Sequence, residues 1–512
     1  MLRRGNVLLF SVAAFVILAA VFIAKPGVSL HNRAESHKKD ISGELAWSLY
    51  LPHLGTFSSP RVADLNGDGV GDIIVGMGRL EFQATDTAVV ALDGKLGTIL
   101  WSLPASDHIF GSALLMDIDG DGVQDVVIGG RSANLFAVNG KTGELIWEFA
   151  KEHLRPLIQK KYFNFYNPQL IPDQTGDGLA DILVSNGGDV LKVPYDEDRP
   201  VGHLMTIDAS NGHIIGEAPM PDGKETYHSI ALSPGDKVEE IEVVFGTGGE
   251  TVGGSLYVCG LREVLKGDLS KAIKLAESPH KGFIAPVAWV DILGDGRYSI
   301  IACGVEGTVY AFEGKTKKQL WKYQVQGTEM YASVGVGNFF KGGPLDFFIT
   351  ANKGFWPFFS QSTHILVEGH KGRVRFEETF GEFQTSSPLA YDVNHDGLDE
   401  VIMSVNLEGK EAERKVFTNS IWVVDFANKQ KYELIPPLPG HNNSSTPWVG
   451  DLDNDGYLDV VFCHSDNLYH TYAFDGMQIN MVKTNIPIRQ PVKWGAYMGS
   501  RYDGRYGTWP ME

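Results

Sequence analysis

Residues 117–130 read DIDGDGVQDVVIGG, an acidic loop followed directly by an apolar run. Related stretches begin at Asp64, Asp173, Asp392 and Asp451. In each stretch, oxygen-bearing side chains stand at loop positions 1, 3, 5 and 9, and a glycine at position 6 permits a sharp turn. The turn brings these side chains and the carbonyl oxygen of position 7 toward one point, and such hard oxygen ligands suit Ca²⁺. The sequence therefore predicts a series of calcium loops.

The predicted metal ligands are the side chains at positions 1, 3, 5 and 9 and the backbone carbonyl at position 7 of these five loops. In chain order they belong to Asp64, Asn66, Asp68, Val70, Asp72, Asp117, Asp119, Asp121, Val123, Asp125, Asp173, Thr175, Asp177, Leu179, Asp181, Asp392, Asn394, Asp396, Leu398, Glu400, Asp451, Asp453, Asp455, Tyr457 and Asp459. A sixth loop at Asp291 has lost two of these positions, which hold Leu293 and Ser299. Degenerate units start at Ser233 and Asn338, and whether these three loops bind metal stays open.

The residues that follow each loop distinguish it from an EF-hand. An EF-hand needs a bidentate glutamate at position 12 and a helix after the loop. Here position 12 is apolar, and runs such as 73–75 and 126–128 are β-branched, which indicates buried strands. A cluster of Asx turns without metal is the alternative, because Asp, Asn and Gly favour turns in any case. Repulsion among the neighbouring carboxylates favours a bound cation.

The loops recur with a long period. Units start at positions 64, 117, 173, 233, 291, 338, 392 and 451. Most of them carry, further on, a segment such as AVVALDGKLGTILWSL (88–103) or TVYAFEGKTKKQLWKY (308–323), which is typical of a β-hairpin. Each unit thus contains about four short strands, and radial repetition of such units forms a propeller. We predict an all-β fold, a β-propeller of about eight four-stranded blades, with seven blades as the alternative.

Two repeat families resemble these segments. The stretch FGSALLMDIDGDGVQDVVIGG (110–130) is similar to the FG-GAP, VCBS or integrin-α N-terminal-like repeat. The stretch AVNGKTGELIW (137–147) resembles the tryptophan-docking repeat of PQQ-like propellers, which include an outer-membrane assembly lipoprotein. The resemblance extends over residues 43–507 and implies an extracellular or periplasmic propeller with Ca²⁺ on its blade loops. It implies no particular activity, because a fold does not determine function.

The N-terminal segment indicates on which side of a membrane the propeller lies. Arginines at positions 3 and 4 precede an apolar run over 7–24, in which Ser11 is the polar exception. The length of this run and the lack of a cleavage site near Ala24 favour an uncleaved transmembrane helix within 1–24, with the N-terminus in the cytoplasm. Secretion after signal cleavage is the alternative. A flexible stalk over 25–42, the propeller over 43–507 and a tail over 508–512 would follow.

The segment GELAWSLYLP (43–52) resembles the last strand of a unit but precedes the first loop. We expect it to complete the final blade and to join the two ends of the chain. The alternative is that residues 478–486 close that blade, which would leave 43–52 at the periphery. The closing strand therefore decides whether the ring depends on the N-terminus.

Composition excludes some functions. The formal net charge is −19, and much of the acidic excess lies in the loops, with no basic stripe that would bind nucleic acid. The cysteines Cys259, Cys303 and Cys463 stand in apolar runs as expected for buried thiols. They include no adjacent pair, whereas the quinoprotein dehydrogenases that the PQQ-like resemblance suggests carry one. No catalytic motif is present, so no catalytic residue is predicted.

These observations predict a membrane-anchored, extracytoplasmic, calcium-binding propeller that recognises a protein or a glycan, or acts as a scaffold, in cell adhesion or envelope assembly. The alternative is an extracytoplasmic enzyme of polysaccharide lyase or quinoprotein type. Aromatic clusters at 161–166 (KYFNFY) and 355–359 (FWPFF) are the candidate contact sites, because exposed aromatic side chains often mark interfaces. These rings could instead pack between blades or cap the central channel.

Overall fold

The structure is a computed structural model that describes residues 41–149, 161–411, 414–466 and 474–508. Within these residues the strands form eight antiparallel sheets of four or five strands; seven are built from strands consecutive in sequence, and the eighth joins the N-terminal strand to the last three strands of the chain. The predicted all-β propeller of eight blades is confirmed, and the seven-blade alternative is wrong. None of the helices in this described part has the length and apolar character that a membrane span requires. The predicted transmembrane helix within 1–24 lies outside the described residues.

The first half of the chain contains the closing strand and blades 1 to 4. Its elements are β1 (Gly43–Pro52); β2 (Arg61–Ala63), β3 (Asp72–Gly76), β4 (Thr85–Leu92) and β5 (Ile99–Ala105) in blade 1; β6 (Leu114–Met116), β7 (Asp125–Gly129), β8 (Leu135–Val138) and β9 (Leu145–Glu148) in blade 2; β10 (Asn164–Phe165), β11 (Gln169–Ile171), β12 (Asp181–Gly187), β13 (His203–Ile207) and β14 (Ile214–Pro219) in blade 3; and β15 (Ala231–Leu232), β16 (Glu242–Gly246), β17 (Gly254–Gly260), α1 (Leu261–Leu265) and β18 (Ile273–Ser278) in blade 4.

The second half contains blades 5 to 8. Its elements are β19 (Ala288–Val290), β20 (Ser299–Gly304), β21 (Thr308–Glu313) and β22 (Gln319–Gln324) in blade 5; β23 (Thr328–Glu329), β24 (Gly335–Gly337), β25 (Asp346–Phe355), β26 (Phe358–Val367) and β27 (Val374–Glu382) in blade 6; β28 (Leu389–Tyr391), β29 (Glu400–Glu411), β30 (Arg414–Asp425) and β31 (Gln430–Pro439) in blade 7; and β32 (Trp448–Gly450), β33 (Tyr457–Ser465) and β34 (Gly476–Pro487) in blade 8.

Burial follows the position of a strand within its blade. The second strands of blades 1 and 2, β3 and β7, are buried along their whole length, since neighbouring blades cover both faces. The outermost strands, β5 and β9, include exposed and half-buried residues because one edge faces solvent. The apolar core therefore lies between blades, where side chains of adjacent sheets interdigitate.

The N-terminal strand closes the ring. β1 pairs antiparallel with β34, from Gly43 opposite Thr484 to Pro52 opposite Gly476, and forms the outer strand of blade 8. The prediction that 43–52 completes the final blade is confirmed, and the alternative of a peripheral segment is wrong.

Tryptophans link the outer strand of one blade to the hairpin of the next. The indole N–H of Trp47 in blade 8 donates to the carbonyl of Gly94 in blade 1 (2.8 Å), and Trp101 in blade 1 donates to Gly140 in blade 2 (2.6 Å). A Cβ on Gly143, whose φ is +74°, would lie 2.5 Å from Trp101, so the ring covers the turn too closely for a side chain. This packing explains the Gly-x-x-Gly spacing of the hairpins.

A ring of side-chain hydrogen bonds surrounds the axis. The backbone N–H of Ser59 in blade 1 donates to Ser112 Oγ in blade 2 (2.9 Å), and the N–H of Thr446 in blade 8 donates to Ser59 Oγ (2.9 Å). Equivalent bonds join blades 6 to 7 and 7 to 8. These bonds satisfy buried amides where inner strands of different blades meet.

The C-terminal segment 488–508 fills the axis on the side of the acidic loops. Trp494 is buried, and its indole N–H donates to the carbonyl of Val334 in blade 6 (3.1 Å). Backbone bonds attach the segment to blade 5 (Trp289 N–H to Gly504), blade 7 (Ala390 N–H to Trp494) and blade 8 (Val449 N–H to Gly495). We call 488–508 the axial plug, and the repeat pattern did not predict it.

Candidate functional site

Backbone amides shape the acidic loops. In the first loop the Asp64 carboxylate accepts hydrogen bonds from the N–H groups of Gly67 (2.7 Å) and Gly69 (3.0 Å). The side-chain oxygen of Asn66 accepts one from Asp68 (2.9 Å), and the second loop repeats these contacts. Positions 1, 3 and 5 thus share one turn and present oxygen atoms, the ligand type that Ca²⁺ selects.

Position 9 differs from the other ligand positions, because its carboxylate is buried. Asp72 accepts the N–H of Leu65 in the loop (2.8 Å) and that of Gly94 in the hairpin (3.1 Å). Asp125 makes the same pair of contacts in blade 2. Burial raises the pKa of Asp72 to about 6. The carboxylate therefore joins loop to hairpin through the same glycine whose carbonyl accepts the tryptophan of the preceding blade.

Carboxylate oxygens of the described residues converge in two of the predicted loops. In the second loop Asp117, Asp119 and Asp121 have one oxygen each within 4.8 Å of the others. In the last loop the converging residues are Asp451, Asp453 and Asp459. The loops that start at 64, 173 and 392 hold an amide or a hydroxyl at position 3, which also supplies an oxygen.

A lysine adjoins the last loop. The Lys483 ammonium lies 3.1 Å from Asp455 and also contacts Asp453, and the hydrogen bond to Asp453 raises the pKa of Lys483. A metal ion at this loop would have to displace the ammonium or share its carboxylates with it. The donor sets of the five loops fit Ca²⁺, and Lys483 makes the last loop different from the rest.

Blade 6 shows that position 9 keeps its structural contact even where most metal-ligand positions are lost. Its loop starts at Asn338 and lacks most ligand positions, yet Asp346 is buried and accepts the N–H of Gly369 (2.9 Å). Burial raises the pKa of Asp346 to about 6. A carboxyl group whose pKa is higher in the folded state stabilises the fold at low pH, and this contribution is lost as the pH rises through about 6.

We expect Asp346→Asn to remove this pH dependence, because the asparagine oxygen can still accept the Gly369 N–H without charge. The difference in free energy of unfolding between variant and parent should shift in favour of the variant by about 2 kcal/mol between pH 4.5 and 7.5. Urea unfolding at several pH values measures it, with the exposed Asp86→Asn as control. A difference that does not change with pH would contradict the prediction.

Aromatic side chains surround a cavity at the end of the axis opposite the acidic loops. Phe110 contacts Tyr166 of the next blade (ring centroids 5.3 Å apart), and Tyr166 contacts Tyr227 of the blade after it (6.1 Å). Across the cavity, Phe359 stacks on Phe383 at 4.5 Å. The cavity measures about 310 Å³ and we call it the axial cavity. Its walls are mainly aromatic. They come from different blades, because the inner strands of these blades begin around this end of the axis.

The two aromatic clusters found in the sequence meet at this cavity. Tyr166 from the first cluster and Trp356 and Phe359 from the second line it. Other rings of the first cluster, Tyr162 and Phe165, pack between blades 2 and 3. The interpretation that these rings pack between blades is therefore confirmed for Tyr162 and Phe165, and a contact role stays a prediction for the rings that line the cavity.

Hydroxyl and amide groups line the floor of the axial cavity. Ser59 and Ser112 belong to the axial hydrogen-bond ring, and the Tyr497 hydroxyl of the plug lies 3.3 Å from Ser229 Oγ and 3.5 Å from Asn167. The plug thus closes the cavity on the side of the acidic loops. A ligand would enter from the opposite face and meet aromatic walls and a polar floor.

Charged groups stand at one side of the cavity and balance one another. Arg131 pairs with Glu81 (2.6 Å) and lies over the ring of Phe110 (5.7 Å). Glu250 also lines the cavity, and burial raises its pKa. Arg199 pairs with Glu225 at 3.3 Å, and burial raises the pKa of Glu225 to about 7. The electrostatic character of the site is therefore nearly neutral.

A wider vestibule of about 910 Å³ leads from the axial cavity to solvent. Its lining includes the exposed apolar side chains of Leu80 (43%) and Phe82 (50%). The turn between β25 and β26 adds Pro357, which is also exposed. We call these three residues the rim. Exposed apolar residues grouped around a cavity are typical of a binding face.

Only part of the cavity lining could be predicted from the sequence. Its signal is a residue seven positions before each loop start, which is aromatic at Phe57, Phe110, Tyr166 and Tyr331. These residues are isolated in sequence, and only the ring brings them together. The acidic loops on the opposite face, by contrast, are local and were found directly.

Comparisons with known proteins agree with these features. The model of the FG-GAP-like repeat matches residues 392–462, and the model described as outer membrane protein assembly factor BamB matches residues 62–152. Both resemblances noted in the sequence are thereby confirmed, and they define the chain as a propeller that carries FG-GAP-like and PQQ-like repeats.

Solved structures with a similar fold include enzymes. Quinohemoprotein alcohol dehydrogenase ADHIIG from Pseudomonas putida HK5 is 13% identical, with a TM-score of 0.52 over 86% of this chain and 76% of that one. A europium-containing methanol dehydrogenase is 11% identical, with a TM-score of 0.56 over 86% and 93% of the two chains. At such identity these structures show the fold alone.

A curated relative, Protein FAM234B of Gallus gallus, is 26% identical over 208 residues, which are 39% of this chain. The match spans 30% of the length of that relative. It therefore shows similarity over one segment of each chain.

Proposed function

We propose that this chain is a membrane-anchored, extracytoplasmic recognition module that binds a protein or a glycan at the axial cavity and its rim. The observation that carries this proposal is the blind cavity, whose aromatic walls come from several blades and whose polar floor is closed by Tyr497 of the plug. Aromatic residues dominate recognition sites because they bury a large area at low cost in conformational entropy. The likeness of residues 62–152 to an assembly factor also favours a binding role.

A membrane anchor at the N-terminus would determine which face of the propeller points toward the membrane. The first described strand starts at Gly43 beside the last acidic loop, and Ser42 N–H donates to the side chain of Asn485 (3.0 Å). A stalk over 25–42 would therefore be attached to the propeller at the face that carries the acidic loops. The axial cavity would point away from the membrane, where a ligand can reach it.

Proximity labelling of the full chain in its own membrane tests this function. We expect the labelled set to shrink when Trp356→Ala alters the cavity wall, and to stay unchanged for Asp86→Asn, which lies outside the cavity lining. Accessibility of the propeller to a membrane-impermeant biotin reagent on intact cells tests the orientation. Labelling that is identical for both variants, or a propeller that is protected from the reagent, would contradict the proposal.

Calcium at the five loops has a structural role in this proposal. The loops are separated from the axial cavity by the length of the inner strands, and in the first three loops position 9 joins the loop to the hairpin of its blade. Calcium would therefore stiffen the ring without touching the ligand. Because Lys483 already neutralises part of the last loop, we expect that loop to bind the ion most weakly.

We expect removal of Ca²⁺ with EGTA to lower the melting temperature. Extracellular calcium modules bind with a Kd of roughly 10⁻⁴–10⁻³ M, and a tenfold excess over Kd adds about 1.4 kcal/mol per site. Asp117→Ala should lose part of the shift, and Asp86→Ala should keep all of it. A melting curve unaffected by EGTA, together with no ion in native mass spectra, would contradict the calcium proposal and leave the recognition role intact.

An enzymatic role is the second candidate, and Glu250 is the observation that favours it. A carboxyl group with a raised pKa beside Arg131 in a cavity is a common feature of active sites. A turnover screen on polysaccharides and on alcohols with added PQQ tests this role. Turnover that Glu250→Gln abolishes would replace the binding proposal.

A further inference from the structure

We infer that the axial cavity takes the end of a neutral glycan chain, which rests on the recognition function proposed above. The walls offer aromatic faces, and the floor offers hydroxyl and amide groups. A sugar ring has apolar C–H faces and a rim of hydroxyls, so it can stack on the walls and hydrogen-bond to the floor at the same time.

The floor favours hydroxyl-bearing ligands. Ser59 Oγ and Ser112 Oγ each accept one backbone N–H from a neighbouring blade. A hydroxyl that accepts one hydrogen bond keeps its proton for another partner. An apolar side chain of a protein that entered the cavity would remove water from these groups without replacing its hydrogen bonds, which is unfavourable. Sugar hydroxyls both donate and accept, so they can replace that water.

The charge of the site favours a neutral ligand. Arg131 is already paired with Glu81, and the Glu250 carboxyl stands on the same side of the cavity. A carboxylated or sulfated sugar would therefore meet the carboxyl group of Glu250. The charge of the Arg131 guanidinium, which could attract it, is already partly neutralised by Glu81. The balanced pair leaves the site without the excess positive charge that acidic glycans need.

The size of the site favours a chain end. The axial cavity of about 310 Å³ lies at the lower limit of ligand pockets, and the vestibule of about 910 Å³ continues from it. One terminal ring would occupy the axial cavity while further sugar residues extend through the vestibule. The plug prevents a chain from passing through, because Tyr497 closes the floor.

An array of neutral gluco-, manno- and galacto-oligosaccharides, with sialylated and sulfated counterparts, tests this inference on the full chain in detergent. We expect at least one neutral series to bind and its acidic counterparts to fail. For the bound oligosaccharide, Trp356→Ala should weaken binding about tenfold, and Ser229→Ala, which removes a floor hydroxyl, about threefold. Leu320→Ala, on the outer strand of blade 5, 48% exposed and outside the lining of the cavity and the vestibule, should leave binding unchanged.

Three outcomes would overturn the inference: no binding on the array, binding of acidic glycans alone, or binding that Trp356→Ala leaves unchanged. Thermal melting of each variant shows whether a loss of binding reflects unfolding. If the array is blank while proximity labelling of deglycosylated proteins remains sensitive to Trp356→Ala, the ligand is a protein and the recognition function stands. If both are negative, the recognition function falls as well.

Discussion

A chain that lacks residues 1–52 is expected to lose the closed ring, whereas a chain that lacks only residues 1–40 should fold. Removing β1 takes away the outer strand of blade 8 and leaves the β34 edge unpaired over its length. It also removes Trp47, which packs against the core shared by blades 8 and 1 and bonds to Gly94. Trp47 is half-buried, so its loss alone should cost less than the roughly 3–5 kcal/mol of a fully buried tryptophan, and loss of the whole strand costs more.

The exposed edge has a second consequence. An unpaired strand presents free N–H and C=O groups to other chains, so we expect the shortened protein to aggregate. Circular dichroism melting and size-exclusion chromatography measure both effects, and Trp47→Ala provides an intermediate case. A monomeric 53–512 protein that melts at the same temperature as the 41–512 protein would show that the ring closes without β1.

Removal of the axial plug is expected to have the second largest effect. Residues 489–512 contribute Trp494, and backbone bonds join this segment to blades 5, 7 and 8. Arg61, buried beneath the segment, donates to the carbonyl of Tyr497 (2.9 Å) and stacks on Tyr502 (4.0 Å). Without the plug this guanidinium would lose both of these contacts and keep its hydrogen bond to the carbonyl of Ala113 in blade 2 (3.1 Å). We expect a large fall in melting temperature, and Trp494→Ala should cost about 3–5 kcal/mol.

Asp86→Ala is the control, because this exposed residue lies in blade 1 and outside the plug. The plug deletion should also abolish ligand binding at the axial cavity, since Tyr497 belongs to its floor. A plug-less protein that keeps its melting temperature would mean that the inner strands support one another without the segment. Unchanged ligand binding would show that the floor is not part of the site.

Features that repeat locally could be read from the sequence. The acidic loops, the strand after each loop and the hairpin with its tryptophan involve residues close together in the chain, and their period predicted eight blades. The closing role of residues 43–52 could also be predicted, because the segment has the pattern of an outer strand without a unit of its own. These features depend on turn chemistry and on β-propensity, which act over a few residues.

The tertiary structure alone decided the rest. Phe57, Phe110, Tyr166 and Tyr331 lie far apart in sequence, and they form one cavity only because the ring places the starts of the inner strands around a common axis. The plug has no repeat pattern, so its place depends on whether its side chains fit the space that the blades enclose. Position 9 was predicted as a metal ligand, and its burial between loop and hairpin became visible only when both were folded. Local sequence thus determined the blades, while their closure into a ring determined the site.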